Sequence, residues 1–331
     1  MGRQSGLAIP PSSPYRDRDH FTEAFFAPGG NDMASPTIGL LSPGDMGHAV
    51  GSVLHANGLT VLTSLQGRSE RSRTLAKKAG IEDVSTLEDL VRQVDILLGI
   101  LVPASALDVA RDVATAIGAT DSTLLYVDCN AIAPQTVRAI GETIMAAGGQ
   151  FADVGIIGPP PTRPGTKFYT SGPGASAFAE LGNYGLDVRV LDGDIGQASG
   201  LKMCYGAMTK GLQALGTELL VAARLMGLEE ALRAEQRETM AEVLGWVERS
   251  MPTMPPKAYR WVGEMEEIGT CFADLGMTPA ILNGAAEMYR FVAETPIGKE
   301  SPENRDQNRD AAGVVAALAD ALGPQSEDRQ R

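Results

Sequence analysis

Short apolar runs alternate with amphipathic helical periods through the first half of the chain. Thr37–Leu41 reads as a strand, 45–57 as a helix, and Thr60–Ser64 as a second strand after the Asn57-Gly58 turn. Helical spacing returns at 69–79, where Gly80 closes it, and a short helix at 86–93 precedes the apolar run Val94–Leu101. Pro103 opens a helix to about 117, Thr123–Asp128 reads as a strand, and Pro134 starts a helix to Ala147. Phe151–Ile157 is one more strand, and Thr166–Thr170 and Leu186–Leu191 are candidates to complete the sheet. Apolar strands without polar alternation, separated by helices, predict an α/β fold with a doubly wound parallel sheet and right-handed crossovers. After Asp192 strand signals vanish, and helical patterns follow at 194–226, 228–249, 256–275, 278–294 and 309–322. The expected organisation is a disordered tail (1–36), a sheet domain (37–192), an all-α domain (193–323) and a frayed tail (324–331).

The chemistry begins at the first strand–turn–helix. Ser42-Pro43-Gly44-Asp45-Met46-Gly47 stands in the frame G-x-G-x-x-G, with serine at the first glycine. Such a turn sets a pyrophosphate on backbone N–H groups at a positive helix end, so these six residues are candidate cofactor ligands in a Rossmann-type domain. An NAD site carries an acid ~20 residues further on, at the end of the second strand. Here Thr63-Ser64-Leu65-Gln66 has none, and Arg68, Ser69, Arg71 and Arg73 follow. Ser64, Arg68, Ser69 and Arg71 are therefore expected to hold a 2′-phosphate, which predicts NADP(H) over NAD(H).

Composition narrows the partners. The 44% apolar and 21% charged shares suit a globular chain, and a formal charge of −13 argues against a nucleic-acid partner. Cys129, Cys204 and Cys271 are odd in number and far apart, which predicts reduced thiols in a cytoplasmic protein. His20, His48 and His55 lack ligand-spaced partners, so no metal site is expected. No apolar run is long enough to span a membrane, and no signal-peptide pattern opens the chain.

Four stretches together resemble the β-hydroxyacid dehydrogenases, the family of 3-hydroxyisobutyrate and 6-phosphogluconate dehydrogenases. They are Gly39-x-x-x-x-Gly44-x-Met46-Gly47, Ile100-Leu101-Val102-Pro103, Asp128-Cys129-Asn130-Ala131-Ile132-Ala133-Pro134, and Lys202-Met203-Cys204. The similarity runs from about 37 to 295. The helical part is most similar to that of the uncharacterised phosphogluconate-dehydrogenase-like branch, on Met265-Glu266-Glu267-Ile268 and Gly284-Ala285-Ala286-Glu287-Met288-Tyr289-Arg290. The resemblance implies that Leu101, Val102 and Pro103 lie beside the nicotinamide, that Asn130 serves cofactor and substrate, and that Lys202 is catalytic. It also implies a homodimer through the helical domain. The family's Ser-Thr pair is Asn130-Ala131 here, its substrate-loop S-G-G is Ile157-Gly158-Pro159, its two asparagines are Tyr205 and Gly206, and its K-D-L is Gly263-Glu264-Met265. Those departures remove the residues that grip a small hydroxy acid, so 3-hydroxyisobutyrate is not expected as the substrate.

The implied reaction is hydride transfer between a CH–OH carbon of a small-molecule substrate and the nicotinamide, with Lys202 as general acid/base. Tyr205, three residues on, is a candidate replacement for the lost asparagine, and Gly206 would make room for a bulkier substrate. Gly155 and Gly158, with Pro159-Pro160-Pro161, read as a rigid substrate-side loop. Two other readings fit the same residues: reduction of an imine or other C=X bond, and a non-catalytic NADPH-binding sensor. Glycines 196, 200, 206, 211 and 216 would let the long helix approach a partner copy closely.

Overall fold

The computed structural model describes residues 35–323. The tails expected at 1–36 and 324–331, with His20, lie outside the described residues, Ser35 and Pro36 apart. The sheet half runs β1 (Ile38–Leu41), α1 (Asp45–Ala56), β2 (Val61–Ser64), α2 (Glu70–Lys78), β3 (Glu82–Val84), α3 (Leu87–Gln93) and β4 (Ile96–Gly99). It continues with α4 (Ala106–Thr120), β5 (Leu125–Asp128), α5 (Pro134–Ala146), β6 (Gln150–Ile157), β7 (Lys167–Ser171), α6 (Ala175–Ala179) and β8 (Val188–Val190). The helical half comprises α7 (Gln197–Leu225), α8 (Glu229–Thr239), α9 (Ala241–Ser250), α10 (Ala258–Asp274), α11 (Ala280–Glu294) and α12 (Ala311–Ala321).

The strand order β3-β2-β1-β4-β5-β6-β7-β8 reverses direction between β1 and β4. Both strands point their carboxyl ends into the same crevice, the place where open α/β sheets bind ligands. Alternation along each central strand feeds two cores. Ile38, Leu40, Ile96, Leu98, Leu125 and Val127 pack on one face, while Leu41, Leu97 and Tyr126 pack on the other. Burial on both faces explains why these strands read as unbroken apolar runs.

The sheet is parallel except at one seam: β7 pairs antiparallel with β6, because residues 158–166 form too short a link for a crossover helix. Strand β3 was not expected, since Glu-Asp-Val at the sheet edge carries no apolar alternation. The single helix read over 228–249 is broken at Met240, whose φ of −148° leaves the helical region. The segment after Pro103 begins as a 3-10 turn (Pro103–Ser105) before α4. A separate core of Met203, Leu220, Met265, Ile268, Tyr289 and Val315 ties α7, α10, α11 and α12 together. Among the described residues no helix is long and apolar enough to cross a membrane.

Candidate active site

The glycine turn adopts the geometry its frame demands despite the serine. Ser42 has φ +87°, the left-handed conformation that favours glycine, and its carbonyl accepts from Gly44 N at 2.8 Å. A Cβ at Gly47 would clash with that same Ser42 carbonyl oxygen, so the helix packs on the turn only without a side chain. At Gly44 a Cβ would meet nothing within 4 Å. Gly44 also offers no side-chain cap to the first N–H groups of α1. Pro43 is buried beneath the turn, and Met46 packs against the sheet core.

At the end of β2 the four cofactor candidates separate. Arg68 is half-buried and forms no ion pair among the described residues. Ser69 caps α2, accepting from Ser72 N at 3.3 Å, so its hydroxyl serves the helix. Arg71 pairs with Asp45 at 2.6 Å and with Glu303 at 3.1 Å. Arg73, behind them, donates to Leu65 O at 2.8 Å and braces the turn. Ser64 closes β2 beside them. An acid does stand at this strand end: Asp83 of β3 accepts from Leu65 N at 2.8 Å. Parallel pairing of β2 with β3 delivers it, which a search along the β2 run alone misses.

Asn130 follows β5 and is 2% exposed. Its carbonyl oxygen accepts from Leu101 N at 2.6 Å, and its Nδ2 and backbone N donate to Asp128 at 2.8 and 3.0 Å. The side chain expected to touch cofactor and substrate is thus a strap joining the ends of β4 and β5, with one amide hydrogen left over. It fixes the Leu101-Val102-Pro103 turn, where Val102 is 64% exposed toward solvent. Burial pushes the Asp128 carboxyl up to about 6; the Asn130 hydrogen bonds and Lys202 pull it down, while Asp153 pushes it up.

Lys202 reaches this centre from α7. Its Nζ donates to Cys129 O at 3.4 Å, directly beside Asp128 and Asn130. Burial holds its amine below the ordinary lysine range; Glu264 acts against that shift, Lys210 adds to it, and Cys129 and Asp128 oppose it. The position of Lys202 is set by Asp153 on β6, fully buried, whose carboxylate accepts from Gly196 N (2.9 Å), Ser199 N (3.1 Å), Ser199 Oγ (2.6 Å) and Ser171 Oγ (3.1 Å). That carboxylate caps the α7 N-terminus from across the fold. Gly155 completes the seat: a Cβ there would lie 2.5 Å from Ala198 O and 3.3 Å from Lys202 Cβ.

Several expectations change at this point. Gly155 lies inside β6 under α7, where close helix–strand approach excludes a side chain, and is not part of a substrate loop. Gly158 does turn the chain after β6, with φ +131°. Gly206 makes no space for a substrate, because Ile268 of α10 fills it: a Cβ would sit 3.2 Å from Ile268 Cδ1. Tyr205 is 53% exposed, and its hydroxyl forms no hydrogen bond among the described residues. A second lysine does stand near Lys202. Lys210, two turns further along α7, pairs with Glu264 at 2.5 Å and lies 5.8 Å over the Trp261 ring. The sequence signal for it was the i, i+8 spacing of two lysines on one helix face.

Residues 37–181 match the family model described as the NAD binding domain of 6-phosphogluconate dehydrogenase, and residues 223–292 match a domain of unknown function. An uncharacterised 28.5 kDa protein of Methanothermus fervidus is 31% identical over 202 residues, 61% of this chain and 76% of that one. A conserved protein of unknown function, described as structurally similar to 3-hydroxyacid dehydrogenases, superposes with a TM-score of 0.61 at 28% identity over 78% of this chain and 97% of its own. The 3-hydroxyisobutyrate dehydrogenase of Mycobacterium tuberculosis has the same fold, with a TM-score of 0.64 at 17% identity over 86% and 99% of the two chains.

Proposed function

Because this chain belongs to the β-hydroxyacid dehydrogenase-like family of NAD(P)-binding oxidoreductases, we propose that it transfers hydride between a small hydroxy-compound and NADP, with Lys202 moving the accompanying proton. The observation that carries the reading is Lys202 Nζ against Cys129 O at the carboxyl end of β5, in the crevice where the strand order reverses. The cradle above Gly44, which a Cβ would fill, and the helix end beneath it fit a dinucleotide pyrophosphate. Arg68 is the proposed 2′-phosphate ligand; Arg71, committed to Asp45 and Glu303, is not. Asp83, the acid at the same strand end, is the competing recogniser of an unphosphorylated ribose.

A bound nicotinamide would supply or accept the hydride. Lys202, partly dehydrated, holds a neutral amine at lower pH than an exposed lysine and takes the hydroxyl proton in the oxidative direction. In reverse it donates that proton. Asp153 and Gly155 hold Nζ at the β5 end, and Asn130 holds the Leu101–Pro103 turn that closes the crevice. Tyr205 has no part in this scheme. The proposed division of labour places the cofactor on residues 37–192 and the substrate and dimer surfaces on 193–323.

A homodimer is part of the proposal, on a smaller face than the glycine series suggested. Gly206 and Gly216 pack within the chain on Ile268 and Val247, whereas Gly211 meets nothing within 4 Å and lies between exposed Met208 and Leu215 on α7. Light scattering at twice the monomer mass is expected. Cytoplasmic placement rests on three free thiols. The decisive experiment titrates NADPH and then screens hydroxy acids and imines at the nicotinamide absorbance band. Turnover of a hydroxy acid that Lys202→Ala abolishes supports the reading; turnover of imines alone, or binding with no turnover, replaces it.

A further inference from the structure

We propose that Lys257 and Arg260, at the start of α10, bind the pyrophosphate of the dinucleotide from the helical side of the cleft, opposite the α1 N-terminus. The inference rests on the dinucleotide-binding reading above and extends it to residues outside the sheet half.

Placement is the first ground. Asp45 is the first residue of α1, at the helix end that faces the anion, and Arg260 Nη1 lies 3.8 Å from its Oδ2. Helix α10 also packs on the Pro103–Ser105 turn, so the helix reaches both loops that border the proposed cofactor crevice. Charge is the second ground. In a chain of net charge −13, Arg260, Arg305 and Arg163 all lie close enough to act on the charge of Lys257, and Asp45 is the carboxylate that acts against them. Arg71 already holds the other oxygen of that carboxylate at 2.6 Å. Lys257 is half-buried and has no carboxylate within ion-pair distance among the described residues. Burial, together with the neighbouring Arg260, Arg305 and Arg163, pushes its amine below the usual lysine range. A cation drawn partly out of water among like charges is a costly arrangement that an anion relieves.

Position selects the anion. The 2′-phosphate belongs at the end of β2, where Arg68 stands. A substrate group belongs at Lys202, which α10 faces near Glu264, about 10 Å further along the helix at 1.5 Å per residue. The Asp45 end of α1 is where a pyrophosphate lies. Asp45 is then the resting counter-ion of Arg260.

Calorimetric titration with NADH and with NADPH tests this on the full chain, in wild type and in Lys257→Gln, Arg260→Gln and Lys257→Arg. Each Gln variant is expected to weaken both cofactors alike by about tenfold, the scale of one charge-assisted hydrogen bond, with unchanged far-ultraviolet circular dichroism. Lys257→Arg is expected to keep affinity within about twofold. Unchanged affinity in both Gln variants overturns the inference and leaves the functional reading intact. A loss confined to NADPH also overturns it, because the groups would then serve the 2′-phosphate. Wild-type protein that binds neither cofactor overturns both readings.

Discussion

Replacing Asp153 should uncouple Lys202 from the sheet. The carboxylate receives four hydrogen bonds, two from the α7 backbone (Gly196 N, Ser199 N) and two from serine hydroxyls. In Asp153→Ala the hydroxyls can rotate to other acceptors, but the two buried N–H groups lose their partner at about 1–3 kcal/mol each. Loss of a negative charge at a helix N-terminus adds about 0.3–1 kcal/mol. Relief of the buried charge offsets part of this, leaving a net cost of about 4 kcal/mol. Asp153→Asn keeps an oxygen for both N–H groups, and Ser199 Oγ can turn to accept from the new amide, so its cost should be about 1–2 kcal/mol. Urea denaturation measures both, and the pH profile of turnover reports whether Lys202 still titrates in its dehydrated site. An Asp153→Ala protein within 1 kcal/mol of wild type would refute the argument. So would an Asn variant as unstable as the Ala variant, because charge, not orphaned N–H groups, would then dominate.

Three further outcomes follow from the same geometry. Gly47→Ala should cost about 1–3 kcal/mol through its clash with the Ser42 carbonyl, whereas Gly44→Ala should cost less than about 1 kcal/mol yet weaken NADPH binding; thermal melts paired with fluorescence titration separate them. Ser42→Gly relieves a left-handed φ of +87° and should stabilise the fold by about 0.5–1 kcal/mol, the left-handed penalty less the added chain entropy; a lower melting temperature would show that the hydroxyl matters more than the strain. Glu264→Gln removes a carboxylate that holds the Lys202 amine up, so Lys202 should lose its proton at lower pH, and the rising limb of the oxidative pH–rate profile should move toward acid. A profile that stays in place would remove Glu264 from the electrostatics of Lys202.

How much of this was legible depends on the range of the interaction. The β1–turn–α1 unit, the run from Asp128 to Pro134 and the start of α7 carry short-range signals: period, turn residues and a proline at a helix start. Glu264 reads in the sequence as a mere departure from a family motif, and Lys210 carries only its helical spacing from Lys202. Their pairing at 2.5 Å joins two helices more than fifty residues apart in the chain. Asp83 carries no signal in the sequence because β3 has no apolar pattern, and the strap that Asn130 forms depends on Leu101 N, 29 residues away.

The amino-acid sequence by itself determined most of the succession of strands and helices, β3 and the break at Met240 apart, the parallel sheet of the first half and the family, since hydrophobic periodicity and turn chemistry act over a few residues. The tertiary structure decided which polar groups meet. It turned β7 antiparallel, paired Arg71 with Asp45, and set Asp153 beneath α7. It also left Lys257 half-buried with no carboxylate within ion-pair distance among the described residues. Charges and hydrogen bonds form through space, and their partners, 43 and 46 residues away in the case of Asp153, leave no local trace in the chain.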